Sequence, residues 1–322
     1  MITGANGFLG SHLCLAFLQR NAFVSALIKE DLKNSYLDLN LGNLIKPKIK
    51  IIKTDIVDFK AVKETFKKCD PDICLHLAAQ PIVGVANQSP LGTFEVNIKG
   101  SWNILEAVRL YQTRALVVAS SDKAYGEHNK LPYTEDSPLL ALHPYDASKA
   151  CADILVRGYA HTFGLNTAVT RCANIYGPGD LSFSRIIPDT MRSVLVGQDP
   201  VIRSDGTPVR DYIYIEDVIS GYLALAKKLF ENRIPPGEAF NFGTQKPIGV
   251  LSLVNRILKI SHREDLRPKI LSKAKIKGEI DRQYLSSAKA KKLLGWESRF
   301  SLDSGLRKTL AWYAGHLWRE KP

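Results

Sequence analysis

Leu116-Val-Val-Ala-Ser-Ser-Asp-Lys-Ala-Tyr-Gly126 and, a little further on, His143-Pro-Tyr-Asp-Ala-Ser-Lys149 decide how this chain reads. The first piece reads as a buried strand running into a polar loop. The second reads as a turn opening a helix. Residues four apart on a helix share a face, so Tyr145 and Lys149 point the same way. A lysine ammonium beside a phenol favours the phenolate and lowers its pKa from about 10. That arrangement supplies a general base near neutral pH. On the strand-end loop, Ser120 or Ser121 offers a hydroxyl for a substrate oxygen, and Asp122 and Lys123 add an acid and an amine. Taken alone, Tyr-x-x-x-Lys describes a surface helix equally well. What precedes it decides between the two.

Upstream, Met1-Ile-Thr-Gly-Ala-Asn-Gly-Phe-Leu-Gly10 carries glycines at 4, 7 and 10. A helix from about Ser11 to Gln19 and a strand-like Ala22 to Ile28 complete a βαβ pattern. Glycines permit a tight turn and close backbone approach, and the helix N-terminus offers N–H groups to a pyrophosphate. Only Met1 to Thr3 precede Gly4. A strand averages about five residues, so either the first strand is very short or the chain lacks its natural start. The acid that would grip a ribose is expected about 20 residues on, near Ile28. Lys29 there leaves room for a 2′-phosphate and leans towards NADP, whereas Glu30 and Asp31 keep NAD open.

Ile49 to Ile52 with Thr54-Asp55-Ile56 reads as a third strand ending in an acid. Asp55 either accepts from an adenine amine or closes a strand-end turn. A helix over 57–69 and a strand over Asp72 to Ala79 follow, with His76 expected as a satisfied core histidine. Ala78, Ala79 and Gln80 form a small-residue edge against which a cofactor can lie. A helix from Pro90 to Tyr111, a strand from Ala115 to Ser120, the Tyr145 helix to Phe163 and a strand from Thr167 to Cys172 continue the alternation. The expectation is an α/β fold, a doubly wound parallel-sheet Rossmann domain with a smaller mixed α/β domain. Past residue 174, prolines and glycines punctuate shorter elements around Arg185, Arg203 and Arg210, arginine being suited to bidentate phosphate binding. Ile215 to Phe230 reads as one more helix.

The chain has 322 residues, 45% hydrophobic and 24% charged, with a net charge of +12. No apolar run approaches the ~20 residues of a membrane span, and no signal-peptide pattern is present. The cysteines (14, 69, 74, 151 and 172) lack a Cys-x-x-Cys pair. They read as buried free thiols in a reducing cytoplasm, with no metal site. The scattered lysines (Lys46 to Lys53, Lys273 to Lys277, Lys289 to Lys292) suit a solvated surface or a small phosphorylated ligand, and no nucleic-acid module is seen.

Together the pieces resemble the extended short-chain dehydrogenase/reductase family, in its nucleotide-sugar epimerase and dehydratase branch. They are Thr3-Gly-Ala-Asn-Gly-Phe-Leu-Gly10, Asp55-Ile56, Leu77-Ala-Ala-Gln80, Asn97, the Ser121 loop, Tyr145 to Lys149, Arg171-Cys-Ala-Asn-Ile-Tyr-Gly177, Val209-Arg-Asp-Tyr212, and Asp281-Arg-Gln-Tyr284 followed by Lys291-Lys-Leu-Leu-Gly-Trp296. Ser121-Asp122-Lys123 is similar to the CDP-glucose 4,6-dehydratase subgroup. So is Gly179-Asp-Leu-Ser-Phe-Ser-Arg-Ile-Ile-Pro-Asp189 with Ile202-Arg203. Arg210-Asp211-Tyr212 departs from that subgroup's usual Arg-Pro-Trp and blurs the nucleotide and the sugar.

The resemblance implies a 4,6-dehydratase. Tyr145 with Lys149 takes the sugar C4 hydroxyl proton, Ser121 holds that hydroxyl, Asp122 protonates the departing C6 hydroxyl, and Lys123 stands where the family usually has a glutamate base for C5. It implies a cofactor, NAD or NADP, held by Gly4, Gly7, Phe8, Leu9, Gly10, Lys29, Asp55, Ile56, Leu77, Ala78, Ala79 and Gln80 together with Tyr145 and Lys149. It implies a nucleotide-diphosphate sugar held by Gln80, Ser121, Asn174, Arg185, Arg203, Arg210 and Arg282. The implied division is residues 1–174 plus about 212–235 for the dinucleotide, and 175–211 and 236–322 for the sugar nucleotide. A homodimer through helices near 97–110 and 146–162 is implied as well. A 4-epimerase needs the same Tyr145 and Lys149 but not Asp122. A non-catalytic scaffold leaves the Ser-Asp-Lys loop unexplained.

Overall fold

The computed structural model describes residues 1–31, 33, 35–43, 48–272 and 280–317. Lys46 and Lys273 to Lys277 of the lysine-rich stretches lie outside the described residues. Seven parallel strands make the central sheet: β1 (Ile2–Thr3), β2 (Val24–Ile28), β3 (Ile49–Lys53), β4 (Ile73–His76), β5 (Ala115–Ala119), β6 (Thr167–Cys172) and β7 (Glu238–Phe242). Their spatial order is β7-β6-β5-β4-β1-β2-β3. The strand order reverses between β1 and β4, the topological switch point at which ligands of open α/β sheets bind. β1 has two residues and is paired on both sides, Ile2 with Ala26 and with Leu75. The inner strands are apolar along nearly their whole length because helices cover both faces. Residues 24–28, for example, are buried without exception.

The helices α1 (Phe8–Leu18), α2 (Phe59–Cys69), α3 (Gly100–Leu110), α4 (Pro144–Phe163) and α5 (Ile215–Phe230) flank the sheet. α2 is set by an Asp58 N-cap that accepts from the Lys60 and Ala61 N–H groups. α4 begins with Pro144 in its first turn and ends at Gly164 in the left-handed region. The single helix expected from Pro90 to Tyr111 contains a π-helical segment at Glu95–Lys99, just before α3. The helices Tyr36–Leu41, Val83–Gln88 and Ile186–Val196 have no counterpart among the elements expected from sequence.

One boundary differs from expectation. Glu238–Phe242, placed by sequence in the sugar unit, pairs in parallel with β6 and closes the edge of the main sheet. Phe240 and Phe242 are fully buried there and anchor it to the main core. A second apolar cluster joins Tyr176, Met191, Tyr214, Leu253, Leu306 and Tyr313 around Ile186–Val196 and the C-terminal helices. Short strands at Val209–Arg210, Ile248–Gly249 and Arg282–Gln283 form a three-stranded patch beside it.

The cysteines are free. Cys14 and Cys74 are buried, whereas Cys151 is exposed because it lies on the outward face of α4. No described helix is long and apolar enough to cross a membrane.

Candidate active site

All seven strands run the same way, so their C-terminal ends and the loops that follow meet along one edge. A cavity of about 780 Å³ opens there. Gly4, Gly7, Phe8, Leu9, Gly10, Lys29, Asp55, Ile56, Leu77, Ala78 and Ala79 line it from one side. Ser121, Asp122, Lys123, Tyr145, Asn174, Arg185 and Arg203 line it from the other. The glycine loop is dense. Gly4 has φ +65°, and a Cβ on Gly10 would stand 2.1 Å from the Gly4 carbonyl oxygen. The three glycines therefore bring the loop backbone and the N-terminus of α1 to the cavity wall, a cradle that fits a pyrophosphate. Thr3 secures the neighbouring turn, its Oγ1 accepting from the Leu77 and Ala78 N–H groups at 3.1 Å each.

His76 is hydrogen-bonded at both ring nitrogens, to Thr3 at 2.8 Å and to Ser101 at 3.2 Å. Burial pushes it down to about 3, so it is a neutral core histidine, as its place in an apolar strand predicts. Lys29 and Asp55 are partners, at 3.0 Å. Asp55 also accepts from the Val57 N–H at 3.0 Å. Against a desolvation penalty, that N–H and the Lys29 ammonium hold its carboxyl below the usual range. Lys29 is therefore paired with Asp55 in a largely exposed ion pair.

Ser121 caps the turn Asp122–Tyr125, its Oγ accepting from the Lys123 N–H at 3.2 Å. The same hydroxyl donates to Asp122 Oδ1 at 3.1 Å. Asp122 is buried, and its Oδ2 has no hydrogen-bond partner among the described residues. Burial pushes this carboxyl up, against the opposing pull of Lys123, Ser121 and Arg210. Asp146 is a second buried carboxyl. Its Oδ1 has no hydrogen-bond partner among the described residues, and burial raises it while Lys123 opposes.

Gln283 joins the cluster from the far end of the chain. Its Nε2 donates to the Asp122 carbonyl at 2.8 Å, and its Oε1 accepts from Lys123 Nζ at 3.5 Å. Sequence reasoning places Gln283 inside a motif and gives it no part. The signal available is an amide next to a charged residue on a short strand.

The Tyr145–Lys149 pair departs from expectation. Burial raises Tyr145 to about 12, while Arg185 and a hydrogen bond with Ser121 pull it down. Lys149 is buried, which lowers it to about 8. Its ammonium donates to the Ala119 carbonyl at 2.9 Å, at the end of β5. The phenol stands above its ordinary value because desolvation outweighs every nearby positive charge.

Three expected substrate contacts fall elsewhere. Gln80 spends its amide locally: Nε2 donates to the Ile82 carbonyl and to Thr93 Oγ1, and Oε1 accepts from the Ile82 N–H. Arg210 is buried, with Nη1 donating to the Val209 and Asp281 carbonyls. Arg282 is exposed on a strand whose next residue, Gln283, turns inward, as the two-residue period of a strand dictates. Arg185 and Arg203 do reach the cavity, held by Asp180 at 3.1 Å and Asp189 at 3.0 Å. Asn174 donates to the Asp211 carbonyl at 3.1 Å. Asn6, Tyr176 and Tyr212 also line the cavity, and sequence reasoning does not single them out.

A doubly wound sheet with a glycine turn at its first crossover, and a tyrosine and a buried acid facing it across the switch point, defines an extended short-chain dehydrogenase/reductase. The chain belongs to the GDP-mannose 4,6-dehydratase family, whose model matches residues 1–309. It is 32% identical over 319 residues to a putative UDP-glucose 4-epimerase of Methanocaldococcus jannaschii, covering 97% of each chain. It is 28% identical over 327 residues to the CDP-glucose 4,6-dehydratase of Salmonella typhimurium, covering 97% of this chain and 89% of that one. The crystal structure of a dTDP-glucose 4,6-dehydratase from Bacillus anthracis in complex with NAD superposes with a TM-score of 0.85 at 25% identity, covering 98% of this chain and 96% of the other. These likenesses place the chain in the nucleotide-sugar dehydratase and epimerase class.

Proposed function

We propose that this protein is an NAD(P)-dependent nucleotide-sugar 4,6-dehydratase, converting an NDP-hexose of the CDP-glucose kind to the 4-keto-6-deoxy sugar with loss of water. One observation carries the reading. Asp122 is a buried carboxyl whose Oδ2 has no hydrogen-bond partner among the described residues, set in the same cavity as Tyr145 and Ser121. A reaction that only moves hydride has no use for such an acid.

The glycine cradle, Asp55 and the Leu77–Ala79 edge would hold the dinucleotide, which when bound supplies the hydride acceptor and donor. Tyr145, in the phenolate form that Arg185 favours against burial, takes the proton of the sugar C4 hydroxyl, and Ser121 orients that hydroxyl. The resulting 4-keto group acidifies C5–H, and Lys123, at the position where the family has a glutamate, would remove it only in its neutral amine form. Asp122 then gives its proton to the C6 hydroxyl, which leaves as water. Arg185, Arg203 and Asn174 grip the diphosphate side.

Epimerase chemistry is the second reading, favoured by the name of the Methanocaldococcus relative. It uses Tyr145 and leaves Asp122 without a task. Trp102, Leu110, Ile154 and Phe163 are exposed large apolar residues on α3 and α4. They support a homodimer that packs these helices as a bundle.

The test is incubation with CDP-, dTDP-, GDP- and UDP-hexoses, followed by the ultraviolet absorbance that 4-keto sugars develop in alkali. Absorbance with one of them is expected. Silence with all four, from protein shown to carry cofactor, overturns the reading.

A further inference from the structure

Loss of water needs an acid and a base held together. The C5 proton passes to Lys123 as a neutral amine, and its electron pair forms the C5–C6 double bond. The C6–O bond breaks as that oxygen takes the Asp122 proton. Lys123 ends as an ammonium, Asp122 as a carboxylate, and one water leaves. The two residues are consecutive on the short turn Asp122–Tyr125, and their reacting atoms must face neighbouring carbons of one sugar.

Gln283 touches both. It is fully buried on the short strand Arg282–Gln283. Asp122 and Lys123 line the cavity, and Gln283 stands behind them. Its Nε2 donates to the Asp122 carbonyl at 2.8 Å, and its Oε1 accepts from Lys123 Nζ at 3.5 Å. A carbonyl only accepts, so the first bond fixes which way round the amide lies. Oε1 is thereby left facing the lysine nitrogen. An amide oxygen accepts an N–H of a neutral amine as well as of an ammonium, and the amine keeps its lone pair for C5. A carboxylate in the same place would favour the ammonium.

The backbone that carries this amide is held from two sides. Gln283 lies opposite Arg210 in a parallel ladder, and the Val209 N–H donates to the Asp281 carbonyl at 2.8 Å. On the other side the Tyr133 N–H donates to the Tyr284 carbonyl at 3.0 Å, and the Ser286 N–H donates to the Tyr133 carbonyl at 2.8 Å. The amide is thus a fixed strut behind the turn.

Resting on the dehydratase reading, we propose that Gln283 is the positioning residue of the water-loss step: one amide holds the backbone of the acid by its donor end and the nitrogen of the base by its acceptor end. It acts through Asp122 and Lys123. The C4 hydride step belongs to Tyr145 and Ser121 and proceeds without it.

Two variants test this. Gln283→Met is close to glutamine in length and removes both ends of the amide. Gln283→Glu keeps the shape, sets a carboxylate against the Asp122 carbonyl and holds Lys123 as an ammonium. The assay is single turnover with whichever hexose gives the 4-keto product, following reduced nicotinamide by absorbance and water loss by mass. Both variants should reduce the cofactor at the wild-type rate and at the same half-saturating substrate concentration. Water loss should slow by about a hundredfold, as for a reacting group displaced by about 1 Å. Reduced nicotinamide then persists where the wild type shows it only transiently. A glutamine that merely supports the fold slows both steps together or neither, and either result overturns the proposal. Should Gln283→Met fail to fold, as its melting curve would show, the isosteric Gln283→Glu decides. A wild type that yields no 4-keto product overturns the dehydratase reading itself, and is seen before any variant is made.

Discussion

Alanine at two glycines of the same loop should have two different effects. At Gly10 the added Cβ stands 2.1 Å from the Gly4 carbonyl oxygen and 3.0 Å from Ala5 Cα. Reaching the 3.4 Å of ordinary contact means moving backbone by 1.3 Å, inside a loop that packs closely on Ala78. Overpacking of this kind costs about 1–3 kcal/mol. With an unfolding entropy of about 2.1 cal/mol/K per residue, Gly10→Ala should melt about 2–4 °C below wild type. Gly7 differs. Its φ of −72° and ψ of 170° suit any residue, and its Cβ would meet one atom, the Gly4 oxygen, at 3.2 Å. Gly7→Ala should melt within about 1 °C of wild type, since the lost freedom of the unfolded chain offsets a mild contact. Yet Gly7 faces the cavity, and the middle glycine of such a loop lets the backbone approach the pyrophosphate. Its NAD(P) affinity should therefore fall at least tenfold, about 1.4 kcal/mol. Thermal unfolding of cofactor-free protein and titration with NAD and NADP read the two effects separately. A Gly10→Ala protein as stable as wild type, or a Gly7→Ala protein that binds cofactor normally, refutes the reasoning.

Other perturbations have equally definite outcomes. Arg171 is buried and binds Asp153 through two nitrogens, at 2.7 and 2.9 Å, and Tyr125 at 2.8 Å. Arg171→Met should cost about 3–5 kcal/mol in urea unfolding because it strands the Asp153 charge; a loss under about 1 kcal/mol, the size of an exposed pair, would contradict that. Asp122 has a raised folded pKa, so its contribution to stability is complete below the unfolded value of about 3.9 and is lost as pH rises through the folded value. The melting temperature of wild type minus that of Asp122→Asn should thus be largest near that unfolded value and shrink as pH rises to neutrality and above; calorimetry showing a flat or growing gap goes against it. Ile154→Glu should convert a dimer to a monomer in sedimentation, and a wild type already monomeric removes the helical interface.

The parallel sheet can be read from the chain because its strands are short apolar runs between helices, and burial on both faces writes that pattern directly. Ile2–Thr3 is the exception, two residues whose strand character comes from neighbours on either side. Glu238–Phe242 is misplaced by sequence because chain order does not say which edge a late strand joins. Gln80, Arg210 and Arg282 show a second limit. A polar side chain names a chemistry, but its direction depends on strand register and on carbonyls that appear only in the fold. Gln283 escapes notice for the same reason, since its partners lie at Asp122 and Lys123, far away in sequence. The Tyr145–Lys149 spacing correctly places both residues on one helix. It gives no measure of desolvation, which is larger than the effect of the neighbouring charges.

The most direct test of the account is a single-turnover comparison of wild type with Asp122→Asn, following reduced nicotinamide by absorbance and the sugar by mass. Wild type should release a sugar nucleotide lighter by one water, with reduced cofactor appearing only transiently. Asp122→Asn should reduce the cofactor and hold it reduced, with no loss of water. Water loss by Asp122→Asn at the wild-type rate, or a wild type whose product has the mass of its substrate, would contradict the account.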